Sequence, residues 1–250
     1  MNIQHHGAVN GVTGSCHQLV IDIHNSLLVD CGLFQGAEIT EGNIENALAI
    51  EFDISTVKAL IVTHCHIDHV GRIPYLLAAG FKGPIYATEA TASLLPLVIA
   101  DALKVGVTRN HKIIAACLKL LKRQLVAIPY KQWIDIPFKP TSSSNFSSVK
   151  VKFQPAGHIL GSAYVEIDCG FKVISDKRSE RVLFSGDLGA PYAPLLSAPR
   201  APYRADVLVI ESTYGDKLHD SRKLRSAKLK NIIEQAVKDN GVVLIPAFSI

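Results

Sequence analysis

Residues 63–71 read THCHIDHVG. His64, His66, Asp68 and His69 fall within six positions, a density of metal-capable groups that a polar loop rarely reaches by chance. Neutral imidazole and carboxylate are preferred ligands for zinc and related divalent ions. His64 and His66 are two apart, so an extended backbone points them the same way and sends Cys65 elsewhere. Asp68 and His69 follow after a bend and present a second set of ligands. A zinc ion takes about four ligands, so one loop cannot complete the site. Two further candidates lie downstream. His158 sits in PAGHILGSAYVEI, where a glycine-flanked histidine interrupts strand-like sequence, and Asp187 ends a short apolar strand in RVLFSGDLG.

The surrounding pattern supplies elements to hold these groups. VKALIV before the histidines is apolar and branched, a buried strand, and GRIPYLLAAG after them reads as a helix closed by Gly80. The histidine stretch is therefore a strand-to-helix loop, and in open α/β sheets such loops line the ligand crevice. Strands are expected at 17–23, 26–30, 57–62, 84–88, 149–155, 162–168, 181–185 and 206–211. Helices are expected at 72–79, 89–104, 110–125 and 221–239. In the last of these Leu229, Ile232, Ile233, Ala236 and Val237 share one face. Paired strand runs mixed with helices point to an α/β sandwich with helices over both faces.

In combination, THCHIDHVG, GHILGS and FSGDLG resemble the successive motifs of the metallo-β-lactamase fold, and LLVDCGLFQG resembles its first. GAVNGVTGSC, PIYATEAT and above all ESTYGD at 211–216 resemble the β-CASP branch, which contains RNA-processing and some DNA-processing nucleases. The resemblance runs the length of the chain. It implies an αββα sandwich of mixed sheets flanked by helices over residues 1–213. The start of an inserted β-CASP α/β domain would follow over 214–250. It implies two zinc ions, one on His64, His66 and His158, the other on Asp68 and His69, with Asp187 bridging them. Asp30 would orient the metal loop rather than bind metal. Asp68 would also hold the nucleophile, and Glu211 matches the first motif specific to the branch and is a second catalytic candidate. The implied reaction is metal-assisted hydrolysis of RNA phosphodiester bonds. Two alternatives stand beside it: a thioester or lactam hydrolase on the same fold, and a non-catalytic scaffold subunit of an RNA-processing complex. A homodimer is admitted as an assembly.

Composition is consistent with this. Of 250 residues, 48% are hydrophobic, and no apolar run is long enough to span a membrane. MNIQHHGAVN lacks a signal-peptide core. Five dispersed cysteines without a CxxC pair suit reduced thiols and a cytoplasmic location. Charge is uneven: residues 1–100 carry 3 Lys/Arg against 9 Asp/Glu, residues 101–250 carry 23 against 13. KLLKR at 119–123 and KLHDSRKLRSAKLK at 217–230 concentrate the excess, a hint of a polyanion partner. His5, His6, His17, His24, His111 and His219 match no metal pattern. The chain ends on GVVLIPAFSI, a buried-strand pattern. The expectation is an N-terminal piece of a longer protein whose later histidines complete the second metal, so that this piece alone is a weak or inactive nuclease.

Overall fold

The structure is a computed structural model, and it describes residues 1–36, 48–172, 179–218 and 221–246. Contacts divide the chain into two compact units, Met1–Glu211 and Ser212–Ile250. In the first, strands β1 (Asn2–His5), β2 (His17–Asp22), β3 (Asn25–Val29), β4 (Val57–Ile61), β5 (Ile85–Thr88) and β6 (Leu125–Ile128) form one sheet in that order. β1, β2 and β3 pair antiparallel, and β3 to β6 run parallel. The second sheet has the order β11-β10-β9-β8-β7. It comprises β7 (Trp133–Asp135), β8 (Phe146–Pro155), β9 (Ala163–Phe171), β10 (Ser179–Phe184) and β11 (Val207–Val209). Only β10 and β11 pair in parallel there.

Strand periodicity sorts side chains into two cores. Leu27, Val29, Ala59 and Ile61 face the second sheet and meet Val151, Phe153, Val165, Ile167, Val182 and Phe184. The alternate residues Leu28 and Leu60 face the helices. Those helices are α1 (Ile67–Val70), α2 (Ile73–Ala78), α3 (Glu89–Gly106) and α4 (His111–Gln124). Both faces of β4 are covered, which explains why VKALIV carries no polar alternation. Outside the second sheet the strands carry a charged cluster. Lys152 and Arg181 lie over the Trp133 ring and flank the buried carboxylate of Glu166. Among the described residues no helix is long and apolar enough to cross a membrane.

Three short strands escape the sequence pattern. β1, β6 and β7 lie at sheet edges, and β6 continues directly from α4, whose expected span ran to residue 125. In the second unit α5 (Arg225–Lys238) forms as expected, but Leu229, Ile232, Ile233 and Val237 are exposed. The buried strand expected at GVVLIPAFSI is not formed over 241–246, where Val242, Leu244 and Ile245 stand in solvent. A buried strand needs neighbouring strands on both sides, and the described residues supply none there. Residues 247–250 and His219 lie outside the described residues.

Candidate metal centre

The site gathers at the carboxyl ends of the strands. β4 ends at Ile61, the chain bends at Thr63, and α1 begins after His66, its N-cap in an extended conformation. Burial separates the residues as the two-residue period predicts: Cys65 turns into the core, and His64 and His66 face the site. Asp68 and His69 sit on α1. His158 stands in the turn between β8 and β9, and Asp187 in the loop after β10. Two glycines let these loops approach. A side chain on Gly32 would collide with the Asp68 carbonyl, and one on Gly189 with the Gly157 carbonyl.

The structure brings all six predicted ligands together. One donor atom from each of His64, His66, His158 and Asp187 lies within 4.8 Å of the others. His69 Nε2 stands 3.1 Å from Asp187 Oδ1 and 3.8 Å from Asp68 Oδ2. The other oxygen, Asp187 Oδ2, is 3.7 Å from His64 Nε2 and 3.5 Å from His158 Nε2. The two carboxylate oxygens of Asp187 thus serve two different groups of imidazoles.

Asp30 sets the inner half of the site. It follows β3 in a left-handed conformation (φ 58°) and is buried. It accepts hydrogen bonds from the Thr63 N–H, the Thr63 hydroxyl and His69 Nδ1, each at 2.8 Å. The Thr63 hydroxyl has one proton and gives it to Asp30. Its contact with His64 Nδ1 at 3.1 Å therefore makes His64 the donor. The chain Asp30–Thr63–His64 leaves a lone pair on His64 Nε2. That atom is buried and has no hydrogen-bond partner. His69 likewise spends Nδ1–H on Asp30 and turns Nε2 toward a carboxylate. A second carboxylate facing a histidine lone pair demands a cation between them, either a proton or a metal ion.

Charge follows. Burial, reinforced by His69, His66 and His158, holds His64 well below the usual imidazole range. Burial and His158 lower His66 as well. For His69 burial acts downward, but Asp30 and Asp187 outweigh it and raise the ring to about 10. Burial is also the largest influence on Asp187, upward, yet the hydrogen bond from His69 and the surrounding imidazoles bring its carboxyl below the ordinary value. Burial raises Asp68. A neutral buried imidazole with an open lone pair, three further nitrogen donors and two carboxylates fit a divalent cation.

Three supports were not singled out by sequence reasoning. Thr63 is the hydroxyl relay just described. Ser162 accepts from the N–H groups of His158 and Ile159 at 3.0 and 3.2 Å, fixing the GHILGS turn. Arg72 donates to the Gly32 carbonyl at 2.6 Å and packs over Phe34. Thr63 and Ser162 stand inside motifs already quoted, and their polar type beside a ligand was the available signal. Glu211 lies two residues beyond β11 and does not touch the imidazoles. Its carboxylate accepts from the Leu188 N–H at 2.7 Å, and its own N–H donates to Ser185 Oγ at 3.0 Å. It clamps the loop that carries Asp187.

Comparison with known proteins agrees with this geometry. The chain is 33% identical over 252 residues to Ribonuclease TTHA0252 of Thermus thermophilus, covering 100% of this chain and 52% of that protein. It is 30% identical to the transcription termination factor FttA of Cenarchaeum symbiosum, covering 94% of this chain and 35% of that protein. It is 28% identical to Integrator complex subunit 11 of Danio rerio, covering 98% and 39%. The chain thus spans about half or less of the length of these relatives. The family model of the metallo-beta-lactamase superfamily matches residues 14–165, which include the buried relay and five of the six ligands. The chain belongs to the metallo-β-lactamase superfamily.

Proposed function

We propose that this chain carries the dinuclear zinc centre of a ribonuclease that hydrolyses RNA phosphodiester bonds. The observation that supports it most is the divided carboxylate of Asp187, one oxygen toward His64 and His158 and the other toward His69. A carboxylate shared in this way suits two cations at once. His64, His66, His158 and Asp187 would hold one zinc ion, and Asp68, His69 and Asp187 the other. Bound there, the pair would supply Lewis-acid charge for a phosphate and acidify water at neutral pH. The protein residues do the rest. Asp30 and Thr63 fix the imidazole tautomers. Asp68, with a raised pKa and a side chain 20% exposed, is placed to hold a nucleophile and take its proton. Glu211 acts as a positioning residue through Leu188. The relatives' names, a ribonuclease among them, support RNA as the substrate class. Five free, dispersed cysteines support a reducing, cytoplasmic setting.

The test measures zinc content, cleavage of labelled RNA, and hydrolysis of a thioester and a lactam, for the chain and for Asp187→Ala. Zinc binding with at most weak RNA cleavage, lost in the variant, is expected, because the chain spans about half or less of its relatives' length. Zinc binding with thioester or lactam turnover and no RNA cleavage would overturn the substrate. A zinc-free chain would overturn the metal centre.

A further inference from the structure

Residues 102–134 contain seven Lys/Arg and no Asp/Glu. This run covers the end of α3, all of α4 and β6. Lys104, Arg109, Lys112, Lys119, Lys122 and Arg123 are exposed. Among the described residues none of them forms an ion pair. On α4, Lys112, Lys119 and Arg123 are spaced seven and four apart, so they line one face, with Lys122 beside them. At 1.5 Å per residue the stripe is about 16 Å long. A solvated helix face normally mixes both signs; an unbroken run of one sign attracts a polyanion.

The stripe ends at a groove of about 480 Å³, lined by Phe81, Lys82, Pro84, Leu120, Arg123 and Gln124 among others. The size suits a small planar group. Gln124 donates its side-chain N–H to the Phe81 carbonyl at 3.2 Å, and this fixes the amide. Its carbonyl oxygen is then left buried without a hydrogen-bond partner. An unsatisfied buried acceptor calls for a donor, and every nucleobase except an N-substituted one carries an N–H on its pairing edge. Apolar walls, two cations and one acceptor are the parts a single-stranded nucleic acid uses: phosphates on cations, a base against apolar surface, an edge hydrogen bond. None of these residues belongs to the metal centre.

We infer that the α4 stripe and the Gln124 groove form a second RNA-binding site, which holds an unpaired segment of the substrate away from the metal centre. The inference rests on RNA being the substrate, and its test separates the two. Binding is measured by fluorescence anisotropy of a labelled, unstructured RNA on the full chain carrying Asp187→Ala, so that cleavage cannot intervene. Adding Lys119→Gln, Lys122→Gln and Arg123→Gln is expected to weaken binding about tenfold and to lower the salt slope by about 2, the value for three phosphate contacts on a single strand. Gln124→Leu is expected to weaken RNA binding about threefold, the scale of one net hydrogen bond, and to leave inorganic polyphosphate binding unchanged. Thermal melting confirms folding of each variant.

RNA binding unchanged in the triple variant would overturn the site, whether or not the parent chain cleaves RNA. Loss of binding to anionic lipid vesicles with RNA binding retained would overturn it too, and assign the stripe to a membrane surface. Gln124→Leu lowering polyphosphate and RNA binding equally would overturn the base-reading groove. A parent chain that binds RNA through these residues yet never cleaves it would leave the site standing and remove the ribonuclease reading.

Discussion

The two sheets contribute to the metal centre in different ways. The first sheet supplies His64, His69 and their anchor Asp30, all buried. Each imidazole there has its outward nitrogen chosen by a hydrogen bond from behind. The second sheet supplies His158 and Asp187, with side chains 29% and 28% exposed. Their loops are held through backbone: Gly189 N–H to the Ala156 carbonyl, Ala163 N–H to the Thr63 carbonyl, Leu188 N–H to Glu211. One half is built into the core and set before any ligand arrives. The other is laid over it and partly exposed. Stability should therefore concentrate in the first half and metal affinity respond to the second.

The sharpest way to break this contrast is Asp30→Ala. It strands the Thr63 N–H, the Thr63 hydroxyl and the protonated His69 in a buried setting. Removing one partner of a buried charged pair costs about 3–5 kcal/mol, and urea unfolding of the metal-free protein should register a loss of that size. A loss below about 1 kcal/mol would mean that Asp30 does not organise the inner half. Asp187→Ala should do the converse. Its side chain is partly solvated, so stability should move by no more than about 1 kcal/mol. Zinc affinity, read by calorimetry, should fall more than about a hundredfold, since a ligand loss should exceed the 10–100-fold effect of losing an outer partner. A variant that unfolds instead would erase the distinction between the halves.

Titration offers a second test. Burial, the largest influence, brings His17 down to about 4, and raised His69 reaches about 10. A lowered histidine leaves the unfolded chain binding more protons below pH 6.5, so stability is lost as pH falls through 6.5 toward 4. A raised one is fully favourable below 6.5 and loses its contribution as pH rises toward 10. The metal-free protein should be most stable near pH 6.5, with the alkaline limb, carried by His69, falling about 2 kcal/mol over 1.5 pH units and the acid limb, where lowered His64 and His66 join His17, falling more steeply. Zinc should flatten the alkaline limb, because it takes the place of the His69 proton, and binding at pH 7.5 should release about one proton. Calorimetry in buffers of different ionisation enthalpy reads that number directly. Zero protons released would mean that His69 is neutral without metal.

How much of this was legible in the sequence differs in the same way. The ligands in THCHIDHVG were readable because a two-residue period is local. Their organisation was readable only through the resemblance, which assigned Asp30 to orient the loop: Asp30 and Thr63 are 33 positions apart, and nothing local pairs them. The layered sandwich followed from strand runs mixed with helices, while β1 and β7, at sheet edges, and β6, which continues directly from α4, escaped; β5 and β11 are as short and were found. The second unit shows the opposite failure. α5 formed where its periodicity placed it, yet its apolar face is exposed. Periodicity identifies a face that is built for burial; a partner must be present to bury it.

The smallest expected effect bears on Glu211, whose position beside the centre invites a catalytic role. Its Oε1 is engaged by the Leu188 N–H, one residue beyond Asp187, and its backbone is tied to Ser185 on the other side. If it acts by holding this loop, what matters is an acceptor at that position and not a negative charge. Glu211→Gln keeps a carbonyl oxygen there and should leave zinc affinity within about threefold of the parent. Glu211→Ala removes one hydrogen bond, worth about 1 kcal/mol net, and should weaken zinc about fivefold. The two variants, compared by calorimetry, separate position from charge. Equal damage from Gln and Ala would show that the charge itself acts on the bound metals, and Glu211 would then join the centre rather than support it.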